Sequence, residues 1–187
     1  MNQNPREAQP ESPRRLVELM TLLNSLKGEA SELGTFAEIE SKSVPAPYRK
    51  LLDHNDHMTI AVEGFHGCPV NVQVLQSRVE GSIYIREILL RRTTDQQVVQ
   101  YGIVRLQLNT LDELPRQEIL SEKIPLGRVL IEHNVMRQVE LVDLWKIEVG
   151  PRLAERLGVE VGAITYGRTA LIYFSDQPAL ELLEVLA

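Results

Sequence analysis

The chain has 187 residues, 43% hydrophobic and 25% charged, the composition of one ordinary globular domain rather than of a fibrous or disordered polypeptide. Its 20 Lys+Arg against 26 Asp+Glu leave a formal net charge of -6, which argues against a general affinity for nucleic acid or anionic membrane, so any anion chemistry must be local. No stretch approaches the roughly 20 apolar residues of a membrane helix, and the single cysteine, Cys68, excludes an internal disulfide or a thiolate zinc module. The expectation is a cytoplasmic protein that engages neither nucleic acid nor membrane.

Residues 1–12, MNQNPREAQPES, are polar, hold two prolines and show no apolar period, so they are expected to form a disordered tail ahead of a single domain over 13–187. Ser12 and Pro13 suit a helix start, and Leu16, Leu19, Met20, Leu23 and Leu26 recur at helical spacing until Gly28. A linker with Gly34, Pro45 and Pro47 follows, then YRKLLDH, which reads as one or two helical turns.

From Thr59 the texture turns to strands: TIAVEGFH, VNVQVLQ, SIYIREILL, VVQYGIVRLQL, VELVDLWKIEV, AITYGRTALIYF and ALELLEVL. Helical stretches interrupt them at LPRQEIL, PLGRVLIEH and PRLAERLG. Loops of about 2 to 6 residues cannot return a parallel strand, so successive strands run antiparallel. The predicted class is α+β, an antiparallel sheet with helices packed on one face.

The informative residues are charges on apolar faces. Strand alternation puts Arg86 with Tyr84, Ile88 and Leu90, and Glu184 with Leu180, Leu182 and Leu186. A buried guanidinium keeps its charge, so it requires an acidic neighbour or a bound anion. An internal Arg86–Glu184 pair, or a sheet whose apparent core face is wet, are the alternatives. Pro125 suits the first turn of a helix, which makes the amides around Leu126 and Gly127 candidate donors to a carboxylate. Asp53, His54, Asp56 and His57 crowd together, but no second spaced ligand cluster supports a metal, and the segment reads as a solvated turn with capping side chains. Glu132 and His133 fall on an amphipathic helix, and Cys68 in its Gly-Cys-Pro turn has no evident basic partner.

The segments LLDHNDHMT, YIREILL, PLGRVLI and YGRTALIYFSDQPALELLEVL occur in the order expected of the chorismate pyruvate-lyase family, and the chain resembles its poorly characterised branch over residues 47 to 187. The resemblance implies a six-stranded antiparallel sheet, a buried cavity under helical flaps, and no metal or organic cofactor. It further implies a carbon–oxygen lyase that eliminates pyruvate from chorismate to leave 4-hydroxybenzoate. In that reading Arg86 clamps a substrate carboxylate, the main chain at Leu126, Gly127 and Met58 lines the ligand, and Glu184 faces the ring hydroxyl. Glu184 stands one residue further from Pro178 than the family pattern, which leaves Glu181 as a second candidate. Arg105, Arg128 and Arg168 are open as a second carboxylate ligand, and the oligomeric state is not set by the sequence. The alternative function is a non-catalytic module that senses a small aromatic acid on the same fold, as in some bacterial transcription regulators, although no DNA-binding segment is read in this chain.

Overall fold

The computed structural model describes residues 21–25, 30–135, 137–174 and 177–187. The predicted tail, and most of the helix expected from Ser12 to Leu26, lie outside those residues; residues 21–24 are helical, with Leu22 and Leu23 buried.

Seven strands form one sheet: β1 (Gly34–Ile39), β2 (Val70–Glu80), β3 (Ile83–Arg92), β4 (Val98–Gln107), β5 (Arg137–Val149), β6 (Ile164–Phe174) and β7 (Gln177–Leu186). Their spatial order is β1-β5-β6-β7-β4-β3-β2 and every pairing is antiparallel. The pairs β2–β3, β3–β4, β5–β6 and β6–β7 join strands consecutive in sequence, with a helix between β5 and β6, and β7 then returns to pair with β4. This is the α+β, antiparallel, chorismate-lyase-like architecture expected, with one more strand than anticipated. That strand is β1, which the sequence reading left in a linker. It is short, only half covered and carries Glu38, so it lacks the apolar run that marks the other six. Its first residue has to be glycine: Gly34 has φ 122, and a Cβ there would stand 2.1 Å from the Glu148 carbonyl oxygen of β5.

Five helices complete the fold: α1 (Ala46–Leu52), α2 (Met58–His66), α3 (Glu113–Leu120), α4 (Leu126–Glu132) and α5 (Pro151–Leu157). The segment TIAVEGFH, read as a strand, is most of α2. Its run of Thr59, Ile60 and Val62 favours a strand, but burial falls on Met58, Thr59 and Val62, at helical spacing. Gly67 then ends the helix in the left-handed conformation, its N–H donating to the Glu63 carbonyl at 2.9 Å. Packing of that face on the sheet outweighs the β preference of the residues.

Helices α1 to α4 cover one face of the sheet, where Leu52, Met58, Val62, Ile119, Val129 and Leu130 meet strand residues such as Leu90, Leu106, Ile172 and Leu180. On the opposite face α5, Leu22, Leu23 and a single turn at Ala30–Leu33 cover Ile85, Tyr101, Ile103, Trp145, Ile147 and Val185. β3 is therefore buried on both sides from Tyr84 to Leu90, which sets the adjacent charges Arg86 and Glu87 into two different cores.

Candidate functional site

On the helix-covered face the register builds three parallel rows across the central strands. Arg86 stands opposite Val104, and Val104 opposite Leu182. In the next row Ile88 faces Gly102, Gly102 faces Glu184, and Glu184 faces Arg168. In the third, Leu90 faces Gln100 and Gln100 faces Leu186. Gly102 puts no side chain above the middle row, where a Cβ would press on Ile88 at 3.2 Å, and the sheet is hollow there. The starts of α2 and α4 roof the hollow, brought so close that a Cβ on Gly127 would meet the Thr59 hydroxyl at 2.9 Å. The resulting cavity is small: about 50 Å³ is open to the centre of a water-sized sphere.

Met58, Arg86, Leu126, Gly127 and Glu184 all line this one cavity. Arg86 is 1% exposed, and its Nε and Nη1 have no hydrogen-bond partner. Burial pushes its pKa down, opposed by the neighbouring Tyr84 oxygen and, more weakly, by Glu122. Tyr84 is itself tied up, its hydroxyl donating to Glu122 Oε1 at 2.8 Å. Burial above all raises the Tyr84 pKa to about 12, with Arg86 pulling the other way, so the phenol is neutral and supplies Arg86 with a dipole rather than a counter-charge.

The neighbouring residue shows what a satisfied buried charge looks like here. Glu87, fully buried on the opposite face, accepts from the Tyr101 hydroxyl at 3.0 Å, from Gln76 Nε2 at 2.5 Å and from Arg152 Nη2 at 2.5 Å. Its carboxylate raises the Tyr101 pKa further, beyond the larger effect of burial. Arg86 has no such set of partners, although the two residues lie side by side in one strand.

The sequence reading allowed an internal Arg86–Glu184 pair. The structure pairs Glu184 with Arg168 instead, Nε to Oε2 at 2.7 Å, both side chains buried. Arg168 uses four of its five N–H donors within the protein: besides Glu184, its Nη1 donates to the carbonyls of Leu52 (3.3 Å) and His54 (2.7 Å), and its Nη2 to that of Asp56 (3.1 Å). The ion pair thus clasps the loop 53–57, which leads into α2, onto β6 and β7. Glu181 points away from the cavity and pairs with Arg105 at 2.8 Å, and Arg128 pairs with Glu63, so these two arginines are taken up elsewhere.

Of the Asp53, His54, Asp56, His57 cluster, His54 and Asp56 belong to the same clasp. The His54 Nε2–H donates to the Leu51 carbonyl at 2.8 Å, while Nδ1 accepts from the Asp56 amide at 3.1 Å and lies 3.3 Å from Arg168 Nη1. Asp53 accepts from Ser41. The His54 ring is therefore held neutral: burial and then Arg168 lower its pKa, against opposing effects of the Leu51 carbonyl, Asp56 and Glu184. Because the folded pKa lies below the unfolded value of about 6.5, His54 contributes stability that is complete above pH 6.5 and is lost as pH falls below it. Urea midpoints measured between pH 7.5 and 5 are expected to fall more steeply for the native chain than for His54→Gln; parallel profiles would remove His54 from the clasp.

Sequence reasoning did not single out Gln100. It is 3% exposed, lines the cavity, and its amide oxygen has no hydrogen-bond partner. The signal was available in VVQYGIV, where alternation aligns Gln100 with Gly102 and Val104, by the same argument that flagged Arg86.

No family model matches the chain, and no curated protein matches it. Solved structures do share its fold. PhnF from Mycobacterium smegmatis is 11% identical at a TM-score of 0.57, over 91% of this chain and 92% of that one. The effector domain of the same protein is 13% identical at 0.52, over 70% and 88%. The ligand-binding domain of a GntR-family transcriptional regulator from Bordetella bronchiseptica is 17% identical at 0.50, over 63% and 85%. These likenesses correct the expected lyase: the shared fold is that of ligand-binding and effector domains, and Glu184, expected to face a ring hydroxyl, is ion-paired with Arg168. They also leave the exclusion of nucleic acid drawn from net charge without support, since these neighbours are parts of transcriptional regulators. No helix among the described residues is long and apolar enough to cross a membrane. The chain therefore has the α+β architecture, related to chorismate lyase, that bacterial regulators use as a ligand-binding domain.

Proposed function

We propose that this domain is a non-catalytic receptor for a small organic acid, which it holds in the cavity under α2 and α4 as a ligand-sensing module. The observation that carries the reading is Arg86, which lines the cavity and is 1% exposed, with two of its guanidinium nitrogens unpartnered. An uncompensated buried charge costs several kcal/mol, and a carboxylate entering the cavity relieves that penalty with charge-assisted hydrogen bonds. The first intrahelical donations of α4 come from Arg128 and Val129 to the Pro125 carbonyl, so the amides of Leu126 and Gly127 are among the donors the helix cannot satisfy itself. With only seven residues α4 has a weak dipole, and these amides act as ordinary donors beside Arg86. The rest of the lining, from Val72, Ile88, Leu90 and Ile172, suits an apolar or aromatic body. Arg168 and Glu184 make up the rigid side of the site and hold the loop that leads into its roof.

Benzoate, an anion with a compact apolar body, is the first probe. Its binding is expected to raise the thermal midpoint progressively with concentration, by the free energy RT ln(1+[L]/Kd), and the acid is recovered unchanged. A midpoint that stays put up to millimolar benzoate and its ring-substituted analogues, with the domain folded, overturns the reading.

A further inference from the structure

We infer that Glu122 is the resident counter-charge of Arg86, presented to it through Tyr84, and that an entering carboxylate competes with Glu122 and thereby loosens the corner between α3 and α4. The inference concerns the regulation of the organic-acid site proposed above and rests on that reading. Tyr84 and Arg86 leave β3 on the same face, two residues apart. Tyr84 mediates between the two charges: its hydroxyl donates to Glu122 Oε1 at 2.8 Å, and its oxygen, together with the Glu122 carboxylate, favours the charged form of Arg86. The phenol is neutral, so this compensation is indirect, and Nε and Nη1 of Arg86 still lack partners.

The backbone at Glu122 points the same way. The residue stands just past the end of α3 with φ 62, its N–H donating to the Ile119 carbonyl at 3.1 Å. The left-handed positions that follow α2, α4 and α5 are filled by Gly67, Asn134 and Gly158, residue types that enter that region at least cost. A glutamate bears a steric cost there that glycine avoids. Backbone outliers of this kind cluster at ligand clamps and switches, and here the constrained residue is the one whose side chain reaches Tyr84. From Glu122 the chain runs through Lys123, Ile124 and Pro125 into α4, so the corner that Glu122 pins also carries the Leu126 and Gly127 amides of the cavity. A ligand carboxylate and Glu122 are like charges converging on one guanidinium, and each lowers the gain from the other. Coupling is reciprocal: whatever Glu122 costs the ligand, the ligand costs the Tyr84–Glu122 contact. With that contact weakened, the strain at Glu122 favours departure of the corner.

Benzoate calorimetry on the native chain, Glu122→Gln and Glu118→Gln tests the competition. Glu122→Gln keeps an oxygen for the Tyr84 hydroxyl and removes only the charge. Glu118, on α3 and paired with His133, is the control for a carboxylate lost elsewhere on the same helix. Glu122→Gln is expected to bind benzoate at least about fivefold more tightly, the low end of ordinary coupling between sites, and Glu118→Gln to bind it as the native chain does. Equal or weaker binding by Glu122→Gln makes Glu122 a structural support of the roof and overturns the inference while the anion site stands. An equal gain in Glu118→Gln reduces the effect to net charge and overturns it as well. Hydrogen exchange adds a readout that a mere support would move the other way. Saturating benzoate is expected to speed exchange of the Glu122 and Lys123 amides in the native chain, and unchanged or slower exchange overturns the release of the corner. If neither the native chain nor Glu122→Gln binds benzoate, the receptor reading fails and this inference fails with it.

Discussion

Replacing Arg86 by methionine is expected to make the ligand-free domain more stable and at the same time to destroy organic-acid binding. The two effects have one cause. The guanidinium sits in an apolar wall with no carboxylate in an ion pair with it among the described residues, so the folded state carries its desolvation. Methionine is unbranched and adaptable enough to fill much of the same space. Exchange of a buried charge for a well-packed apolar residue has stabilised other proteins by about 1–4 kcal/mol. Binding moves the other way. Removing one member of a buried, hydrogen-bonded charge pair costs about 2–5 kcal/mol, or roughly 30- to 5,000-fold in Kd at about 1.4 kcal/mol per decade. Urea unfolding and benzoate calorimetry on the two proteins read both quantities. A variant less stable than its parent shows that Arg86 is held as a structural ion, with Tyr84 and Glu122 as sufficient partners, and the anion site then loses its main support.

The second large effect belongs to Arg168. Its substitution by leucine leaves Glu184 as a buried carboxylate without its cation and breaks the donations to the Leu52, His54 and Asp56 carbonyls. A loss of about 3–5 kcal/mol is expected for breaking a buried pair from one side. The double variant Arg168→Leu/Glu184→Leu should recover part of it, because no charge is then stranded, but not the part owed to the loop, whose carbonyls remain without donors. Hydrogen exchange at residues 53–57 separates the contributions: fast in both variants if Arg168 clasps the loop, native-like if the pair serves only β6 and β7. Arg86 and Arg168 thus answer oppositely to the same class of substitution, although both are buried arginines on one face of one sheet. The difference lies in whether the protein itself supplies the acceptors.

Much of the fold is legible in the sequence. Six of the seven strands, their antiparallel order along the chain and α1, α3, α4 and α5 follow from periods of two or of about 3.6 and from the Pro and Gly residues that bound them. The misreadings have specific causes. In TIAVEGFH, Thr59, Ile60 and Val62 favour extended chain locally, and only their burial on the sheet with Met58 selects a helix. β1 has no apolar run of its own; it exists because the long β5 offers it an edge from Leu144 to Val149. The lyase expectation followed the resemblance of REILL and PLGR, which meet at one cavity through Arg86, Leu126 and Gly127 but do not say what happens there.

What the sequence by itself determined is which residues are out of place: alternation along a strand is local, so REILL and ALELLEVL suffice to put a guanidinium and a carboxylate on apolar faces. It could not determine who meets whom. That Glu184 belongs to Arg168, that Glu181 turns away to Arg105, and that two nitrogens of Arg86 and the amide oxygen of Gln100 are left without partners on either side of Gly102 depend on which strands are neighbours and in what register. Those are long-range pairings, closed between residues as far apart as Leu52 and Arg168, and no period within a single strand encodes them.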